Sequence, residues 1–593
     1  MSDIWFISDL QRLVKEREAI CLLEDSVDWL TGTNWILDNG RLVVEAIIQA
    51  HGYDYSVKMV YPALFPAVPP TVYPKNSEER WSSHQYVSGA LCLEWRPDTW
   101  HTEVTGAQVL ESTYTLLSTE NPRGTGEQHI VPSQHELSTG QILRESFIRV
   151  YVNKALNAYL AGLSSFSTGS IEFSGRWQSQ SYLVLLYSVQ PDDLPAWNDT
   201  LIPKRLNNAA KNRGAFYKTG LPPKALATTN TLQDLEAVLE QAGYGTAALK
   251  EHSIWVEKDA GGLFGVLLTD AEDNLHFFLK IAASKSEVWK ATFVQSNLDT
   301  INPRLPSELH ELSSKSVGIV GLGSVGSKVA ASIARTGVGK FYLVDEDIFL
   351  PENICRNDLD WRNVGEHKVH AVAEVMSYIT ATAQVDVATL SLGGQESSAA
   401  LDCVLRQLNR CDLLIDATAN PIIFNLLAFI AKSYAKPLVW AEVFAGGIGG
   451  MIARSRPGQD PDLQATKAAF HEYLSMQDVA LPGTATDQYI LESTGGEVLE
   501  ASDAEVSIMA GHLTRLAIDT LLAREPSLFP YSIYVIGFQQ AWIFKAPFHT
   551  IPIDTSKVVH IESGNPVSPD VDSEGIDFLS ELLEKMQDAD SPS

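Results

Sequence analysis

Two stretches of this chain hold residue types at spacings that chemistry requires. In the first, the apolar run Ser316 to Val320 leads into Gly321-Leu-Gly323-Ser-Val-Gly326. The helical run Ser327 to Thr336 follows, and then Lys340 to Val344 ends at Asp345. A Gly-x-Gly-x-x-Gly between a strand and a helix suits phosphate binding. Gly321 permits the tight turn, Gly323 lets the backbone approach an anion, and Gly326 packs the helix onto the strand. The helix N-terminus then faces the negative charge, and Asp345 falls where an acid can take ribose hydroxyls. In the second stretch Cys92 sits in Gly89-Ala-Leu-Cys92-Leu, eight residues after His84 and eight before Trp100. A thiolate there can accept a carboxyl group as a thioester and hand it to an amine. A lone cysteine among apolar residues is more simply a core residue.

The glycine turn alone would suit an NAD-dependent oxidoreductase. The residues after it point elsewhere. Asp345-Glu-Asp-Ile-Phe-Leu-Pro-Glu-Asn353-Ile-Cys-Arg356 is followed by Val364-Gly-Glu-His-Lys368 and then by the apolar run and acid Leu413 to Asp416. This order resembles the adenylation domain of E1 enzymes and their ThiF-type, sulfur-carrier-activating relatives. The resemblance implies ATP with Mg2+, Arg356 and Lys368 on the phosphates, Asn353 in the phosphate region and Asp345 on the ribose. The chemistry agrees: attack of a C-terminal carboxylate on the α-phosphorus builds negative charge that cations must stabilise. One departure stands out. Family members carry a metal-binding Asp just before the Asn of the next motif, and here Asp416-Ala-Thr-Ala419-Asn420 puts Ala419 in that place. Asp416 is then the candidate metal ligand, or else a strand-end acid that caps a turn.

Around Cys92 lie Pro62-Ala-Leu-Phe65-Pro66-Ala-Val-Pro69-Pro70, then Ser82-Ser-His84, then the cysteine, Trp100 and the helical run Gln108 to Leu117. This resembles the core of a ubiquitin-conjugating E2. That family carries an Asn eight residues before its Cys, and this chain has His84 there. An imidazole can donate a hydrogen bond to an oxyanion and also titrates near neutral pH. A structural histidine at a turn is the competing reading.

The elements that must position these residues divide the chain into four parts. Residues 1–125 read as a helix, strands at Leu42 to Ile48 and Tyr55 to Tyr61, the Cys92 region and a helix. A linker rich in Gly, Pro, Gln and Thr follows. Residues 140–304 read as a connecting domain of mixed class, helical over Ile142 to Leu160 and strand-like over Ser181 to Val189 and Gly262 to Leu268. Residues 305–565 alternate strands and helices, which predicts an α/β domain with a mostly parallel sheet. There Gly446 to Gly450 is expected to be a tight turn or bulge between strands. Residues 566–593 form an acidic tail, in which Ile576, Leu579, Leu583 and Met586 recur at helical spacing. The fold class expected is multidomain, α+β followed by α/β: an N-terminal E2-like fold, a mixed connector and a Rossmann-like adenylation domain.

Composition excludes other classes. The 593 residues carry a net charge of −29, a field that repels nucleic acid. No apolar run of membrane-spanning length occurs, and the first twenty residues read as an amphipathic helix rather than a signal peptide. The five cysteines, Cys21, Cys92, Cys355, Cys403 and Cys411, form no CxxC pair. They fit a reducing cytosol rather than a disulfide framework or a zinc site.

E1 enzymes pass the acyl group from AMP to a cysteine of their own, yet no cysteine follows Cys411. Cys355 sits inside the nucleotide motif, and Cys403 and Cys411 read as core residues. Three routes stay open: Cys92 attacks the adenylate directly, Ser493 or Thr494 supplies an oxygen nucleophile, or a cysteine has been replaced. As a whole the layout resembles the E2–E1 fusion proteins of bacterial antiphage operons of the CBASS type. The resemblance implies a homodimer through the E1-like domain. It also implies that the C-terminus of a cGAS-like nucleotidyltransferase is activated and joined to an amine on a target. A bacterial ubiquitin-like protein is the alternative substrate. An oxidoreductase and a non-catalytic adapter built on a decayed E1 are the alternatives outside conjugation.

Overall fold

The structure is a computed structural model. It describes residues 4–76, 79, 81, 85–86, 88–124, 143–144, 146–207, 211–227, 229, 231–245, 263–281, 288–296, 305–481, 490–492, 498–555 and 575–581. His84, Ser493, Thr494, Leu583 and Met586 lie outside the described residues. The chain divides into two compact units, residues 1–140 and 141–593.

The first unit begins with the one-turn helix Trp5–Ser8 and helix α1 (Leu10–Ser26). A meander follows, β1 (Leu30–Asp38), β2 (Arg41–Ala50), β3 (Tyr53–Val60) and β4 (Thr71–Pro74), antiparallel in chain order. Helix α2 (Gly106–Glu120) closes the unit. On β2, Val44, Ala46 and Ile48 alternate with the more exposed Glu45, Ile47 and Gln49 and pack against Ile20 of α1 and Val109, Leu110 and Leu117 of α2. This two-residue period puts one face of the sheet under the helices. The expected strands and the helix at Gln108 to Leu117 are all present; the edge strands β1 and β4 escaped the sequence reading.

The connecting region is a nine-stranded mixed sheet. It holds β5 (Ile148–Asn153), β6 (Thr168–Trp177), β7 (Tyr182–Pro191), β8 (Asn212–Lys218), β9 (Leu263–Thr269), β10 (Leu275–Ile281) and β11 (Thr292–Ser296), with two short strands besides. Helix α3 (Lys154–Ala161) packs on one face and α4 (Leu232–Gln241) on the other. One expectation needs correction here. Ile142 to Leu160 is not one helix: Ile148–Asn153 is a strand and the helix Lys154–Ala161 starts after it. Ile148, Val150 and Val152 are buried at alternate positions, and β5 lies parallel between β7 and β11. Pairing on both sides outweighs the local helical pattern.

The last region is a doubly wound α/β sandwich. Its strands are β12 (Ser316–Val320), β13 (Lys340–Val344), β14 (Gln384–Ala388), β15 (Leu413–Asp416), β16 (Leu438–Val443), β17 (Gly449–Ser455), β18 (Ile533–Gly537) and β19 (Thr550–Ile553). They lie in the order β14-β13-β12-β15-β16-β17-β18-β19. The five from β14 to β16 are parallel and the remaining pairings antiparallel. Helices α5 (Ser324–Arg335), α6 (Lys368–Ile379) and α10 (Asp503–Leu521) share one core with Val317, Ile319, Leu413 and Ile415. Helices α7 (Ser398–Asn409), α8 (Pro421–Ser433) and α9 (Leu463–Met476) share the other with Val320 and Leu414. Burial on both faces explains why these strands are apolar runs without alternation. The expected glycine turn is a single 3-10 turn, Ala445–Gly447, between β16 and β17, with Gly446 and Gly447 at φ 70 and 67°. The chain runs from β12 outward through β13 to β14, then returns to β15 on the other side of β12. Ligands of such sheets bind at the strand C-termini where the order reverses.

Candidate functional site

That reversal point holds a cavity of about 320 Å³. Its apolar part is formed by Val320, Val344, Leu390, Leu392 and Ile423, and its polar part by the glycine turn, Asp345, Glu346, Asp347, Arg356 and Lys368. The glycines divide the work as their spacing predicts. Gly321 has φ +86°, the left-handed region that favours glycine. A Cβ on Gly326 would stand 1.8 Å from the Gly321 carbonyl oxygen, so the helix can approach the turn only without a side chain there. A Cβ on Gly323 would meet nothing within 4 Å, so the backbone at the start of α5 borders open space. An open cradle at a helix N-terminus, with an Arg and a Lys beside it, fits a nucleotide's phosphates.

Local hydrogen bonds shape the acidic run. Asp345 accepts the Leu322 N–H at 2.5 Å and the Asp347 N–H at 2.9 Å, which locks the glycine turn to the end of β13. Burial pushes the Asp345 carboxyl up, against the pull of those two N–H groups. Asp347 holds Lys368 by an ion pair of 2.6 Å, and the Lys368 N–H donates to the Asp347 carbonyl. The buried Lys368 ammonium therefore already has a carboxylate partner beside the cavity. The segment between them folds back on itself, since Gly365 N–H donates to Phe349 and Phe349 N–H to Glu366. Without that hairpin a residue 21 positions away could not reach Asp347.

Two of the sequence's site residues lie elsewhere. The Asn353 side chain accepts the Leu350 N–H at 3.0 Å and caps the turn Pro351–Cys355; it is not among the cavity residues. Asp416 is buried and lines a separate small recess with Ala419, Glu442 and Lys467. Its Oδ1 accepts the Thr418 N–H at 2.9 Å and the Thr418 hydroxyl at 2.6 Å. Burial pushes its carboxyl up to about 6, partly countered by Thr418. That is the geometry of a turn cap. Among the described residues no group of three or more His, Cys, Asp or Glu is arranged to hold a metal ion. Mg2+ on a nucleotide needs only one or two carboxylates besides phosphates and water. Asp345, Glu346 and Asp347 at the cavity fit that donor set, whereas Asp416 lines the recess. The sequence reading missed Asp347, Ser324, Thr418 and Asn420 as cavity residues. The Asp-x-Asp spacing was the signal for the first.

In the first unit Cys92 is half-buried. The Trp100 indole N–H donates to the Pro66 carbonyl at 2.7 Å, which joins the proline-rich segment to the residues after the cysteine. Arg12 of α1 pairs with the fully buried Glu16 at 2.8 Å and donates to the Val104 carbonyl at 2.5 Å. Glu16 in turn accepts from the Tyr61 hydroxyl at 2.8 Å and from the Gly106 N–H at 2.7 Å. This network fixes the chain from Trp100 to α2 against the sheet. Tyr86 Oη lies 3.6 Å from Cys92 Sγ. Of the other cysteines, Cys411 is buried and its thiol is pushed up to about 12 by that burial. Cys403 is exposed on α7, which corrects its reading as a core residue.

Among the described residues no helix is long and apolar enough to cross a membrane. Residues 169–295 match the family model described as the domain observed between E2 and E1 domains, and residues 296–538 match the ThiF family. The chain is similar to the ATP-dependent ubiquitin transferase-like proteins Cap2 of Vibrio cholerae and Pseudomonas aeruginosa. The first is 29% identical over 23% of this chain and 24% of the relative, the second 26% identical over 44% and 42%. The chain thus spans less than half the length of either relative. The crystal structure of E. coli MccB with ATP aligns at 16% identity with 42% of this chain and 67% of that one, at a TM-score of 0.32. This chain therefore carries the domain found between E2 and E1 domains, followed by an E1-like domain of the ThiF family.

Proposed function

We propose that this protein uses ATP to activate the C-terminal carboxylate of a partner protein, captures it as a thioester on Cys92 and transfers it to an amine on a target. The single observation that supports this most is the cavity at the sheet reversal, where the open Gly323 cradle, Arg356 and Lys368 converge. In this reading residues 1–125 are an E2-like domain, 140–304 the connector, 305–565 the adenylation domain and 566–593 an acidic tail. The carboxylate oxygen attacks the α-phosphorus, and the bond from that phosphorus to pyrophosphate breaks. Mg2+, when bound near Asp345, Glu346 and Asp347, would neutralise phosphate charge. Lys368 exchanges Asp347 for a phosphate oxygen, Arg356 stabilises developing charge, and the α5 N-terminus orients the phosphates. The likeness to Cap2 favours a partner from the same antiphage operon, a cGAS-like nucleotidyltransferase. A ubiquitin-like protein is the second substrate class. Pairing of two copies through the ThiF-type domain and a cytoplasmic location belong to the same reading.

The meander flanked by two helices, with Trp100, eight residues after Cys92, tied to the proline-rich segment, supports the E2-like assignment. The alanine at 419 favours one competitor, a non-catalytic adapter. ATP–pyrophosphate exchange with the co-expressed operon partner separates the two. Exchange that falls at least tenfold in Lys368→Ala is expected, in line with the loss of a charge-assisted hydrogen bond. No exchange with any operon partner would sink adenylation. Intact mass of Cys92→Ser should reveal an oxyester to the partner's C-terminus, and conjugation that survives Cys92→Ala would refute the thioester step.

A further inference from the structure

The sulfur of Cys92 has a polar neighbour that the transfer chemistry described so far leaves unused. Tyr86 Oη is within hydrogen-bond distance of Sγ, with the thiol as donor in the resting state. The backbone holds this tyrosine in place. Tyr86 N–H donates to the Ala90 carbonyl and Gly89 N–H to the Tyr86 carbonyl, both at 2.8 Å, closing a turn at Gly89 with φ +90°. Gln85 braces the same turn: its amide donates to the Gly89 carbonyl at 2.8 Å and its side-chain oxygen accepts the Trp81 N–H at 3.0 Å. Leu91 N–H donates to the Val72 carbonyl at 2.9 Å, which anchors the turn on β4. Tyr86 is nonetheless 47% exposed, so the fold does not enclose the side chain that reaches the sulfur. Burial first, and then the contact with Cys92, push that hydroxyl up to about 12; Arg96 acts against this and Asp98 with it. The O–H thus keeps its proton at neutral pH.

We infer that the Tyr86 hydroxyl is a catalytic group of acyl transfer, donating a hydrogen bond to the Cys92 sulfur whenever negative charge gathers there. The inference rests on the proposed thioester at Cys92. In discharge the amine nitrogen attacks the thioester carbonyl carbon and a C–N bond forms. The tetrahedral intermediate collapses, the C–S bond breaks, and its electron pair stays on Sγ while the amine proton passes to water. Rotation of the hydroxyl from acceptor to donor meets that charge without any movement of the ring. A donor aimed at charge that exists only during the reaction lowers the barrier more than it stabilises the resting thioester.

The test uses the full chain and a short peptide α-thioester ending in glycine, which loads Cys92 by thiol exchange and is followed by intact mass. Discharge to free lysine is then timed. Tyr86→Phe should melt as the parent does and, once fully loaded, discharge about tenfold more slowly, the loss expected for a hydrogen bond to a charged group. Discharge within twofold of the parent overturns the inference. If Tyr86→Phe melts early, 3-fluorotyrosine at position 86 keeps the shape and sharpens the donor, and an unchanged rate overturns it equally. Peptide mapping must place the discharging load on Cys92 rather than on the exposed Cys21, Cys355 or Cys403. If Cys92→Ala carries and discharges the load as the parent does, the thioester reading itself falls, whatever Tyr86 does.

Discussion

Replacing Asp416 with Asn should stabilise the ThiF-type domain, and the gain should grow with pH. The carboxyl is fully buried at the end of β15 and burial raises it from an ordinary 3.8 to about 6. Between those values the folded protein holds a proton that the unfolded chain has released. Stability therefore falls as pH rises through this window, and the whole penalty is present above pH 6. At about 1.4 kcal/mol per pH unit of displacement, the penalty reaches about 3 kcal/mol at neutral pH and about half that at pH 5. An Asn oxygen can still accept the Thr418 N–H and hydroxyl, so the turn cap survives the change. Glu442, which shares the recess, adds to the penalty, and Lys467 offsets part of it. Urea unfolding of parent and Asp416→Asn at low protein concentration, from pH 5 to pH 8, measures the gap. The lower limit stays above the sequence isoelectric point of about 4.8. The gap between them should roughly double from pH 5 to pH 7 and then level. A gap that is constant with pH, or a variant less stable at pH 8, would refute the claim that Asp416 pays a burial penalty at neutral pH.

Gly326→Ala should destabilise the same domain by about 1–3 kcal/mol despite alanine's helix preference, because its Cβ would collide with the Gly321 carbonyl. A thermal melt checks this, and an unchanged midpoint would mean that the turn can yield. Ala419→Gly should stabilise by about 1 kcal/mol, since Ala419 has φ +52° and glycine reaches that region without strain. The same melt reads it, and destabilisation would show that the alanine methyl packs better than its backbone angle suggests.

How far the sequence leads depends on whether a residue's neighbours are near it in the chain. The glycine turn is local, so Gly321, Gly323 and Gly326 could each be given a structural part from spacing alone, and the geometry at each agrees. The strands β12, β13 and β15 were legible for the same reason, as short apolar runs between turn signals. The failures are non-local. Ile148–Asn153 looks helical in its own window and becomes a strand because β7 and β11 flank it. Lys368 and Asp347 are 21 residues apart, and only the folded-back segment through Phe349 and Gly365 makes them partners. Asn353, which the resemblance put in the phosphate region, has a local partner that its motif did not reveal: its side chain accepts the Leu350 N–H and caps its own turn.

Asp416 and Ala419 belong to one local device, and its construction bears on what Ala419 costs. From the end of β15 the side chains hand hydrogen bonds forward: Asp416 to the Thr418 N–H, Thr418 to the Asn420 N–H at 3.1 Å, and Asn420 to the Ile422 N–H at 2.9 Å, where α8 begins. Each link satisfies a backbone donor that the strand or the helix leaves open. The position between the last two links is Ala419, and none of these bonds uses its side chain. The left-handed backbone there is thus imposed by its neighbours, and a side chain at 419 is free of structural duty. Exchanging an acid for alanine at that point removes a charge and leaves the turn standing. With Ala419 neutral, the end of β15 carries one negative charge fewer at neutral pH than two acids would, since Asp416 is ionised above pH 6. The carboxylates that remain at the cavity come from the end of β13, where Asp347 already neutralises Lys368. In the proposed reading a cation that accompanies the nucleotide would find its protein partners on the β13 side, with the β15 side contributing shape.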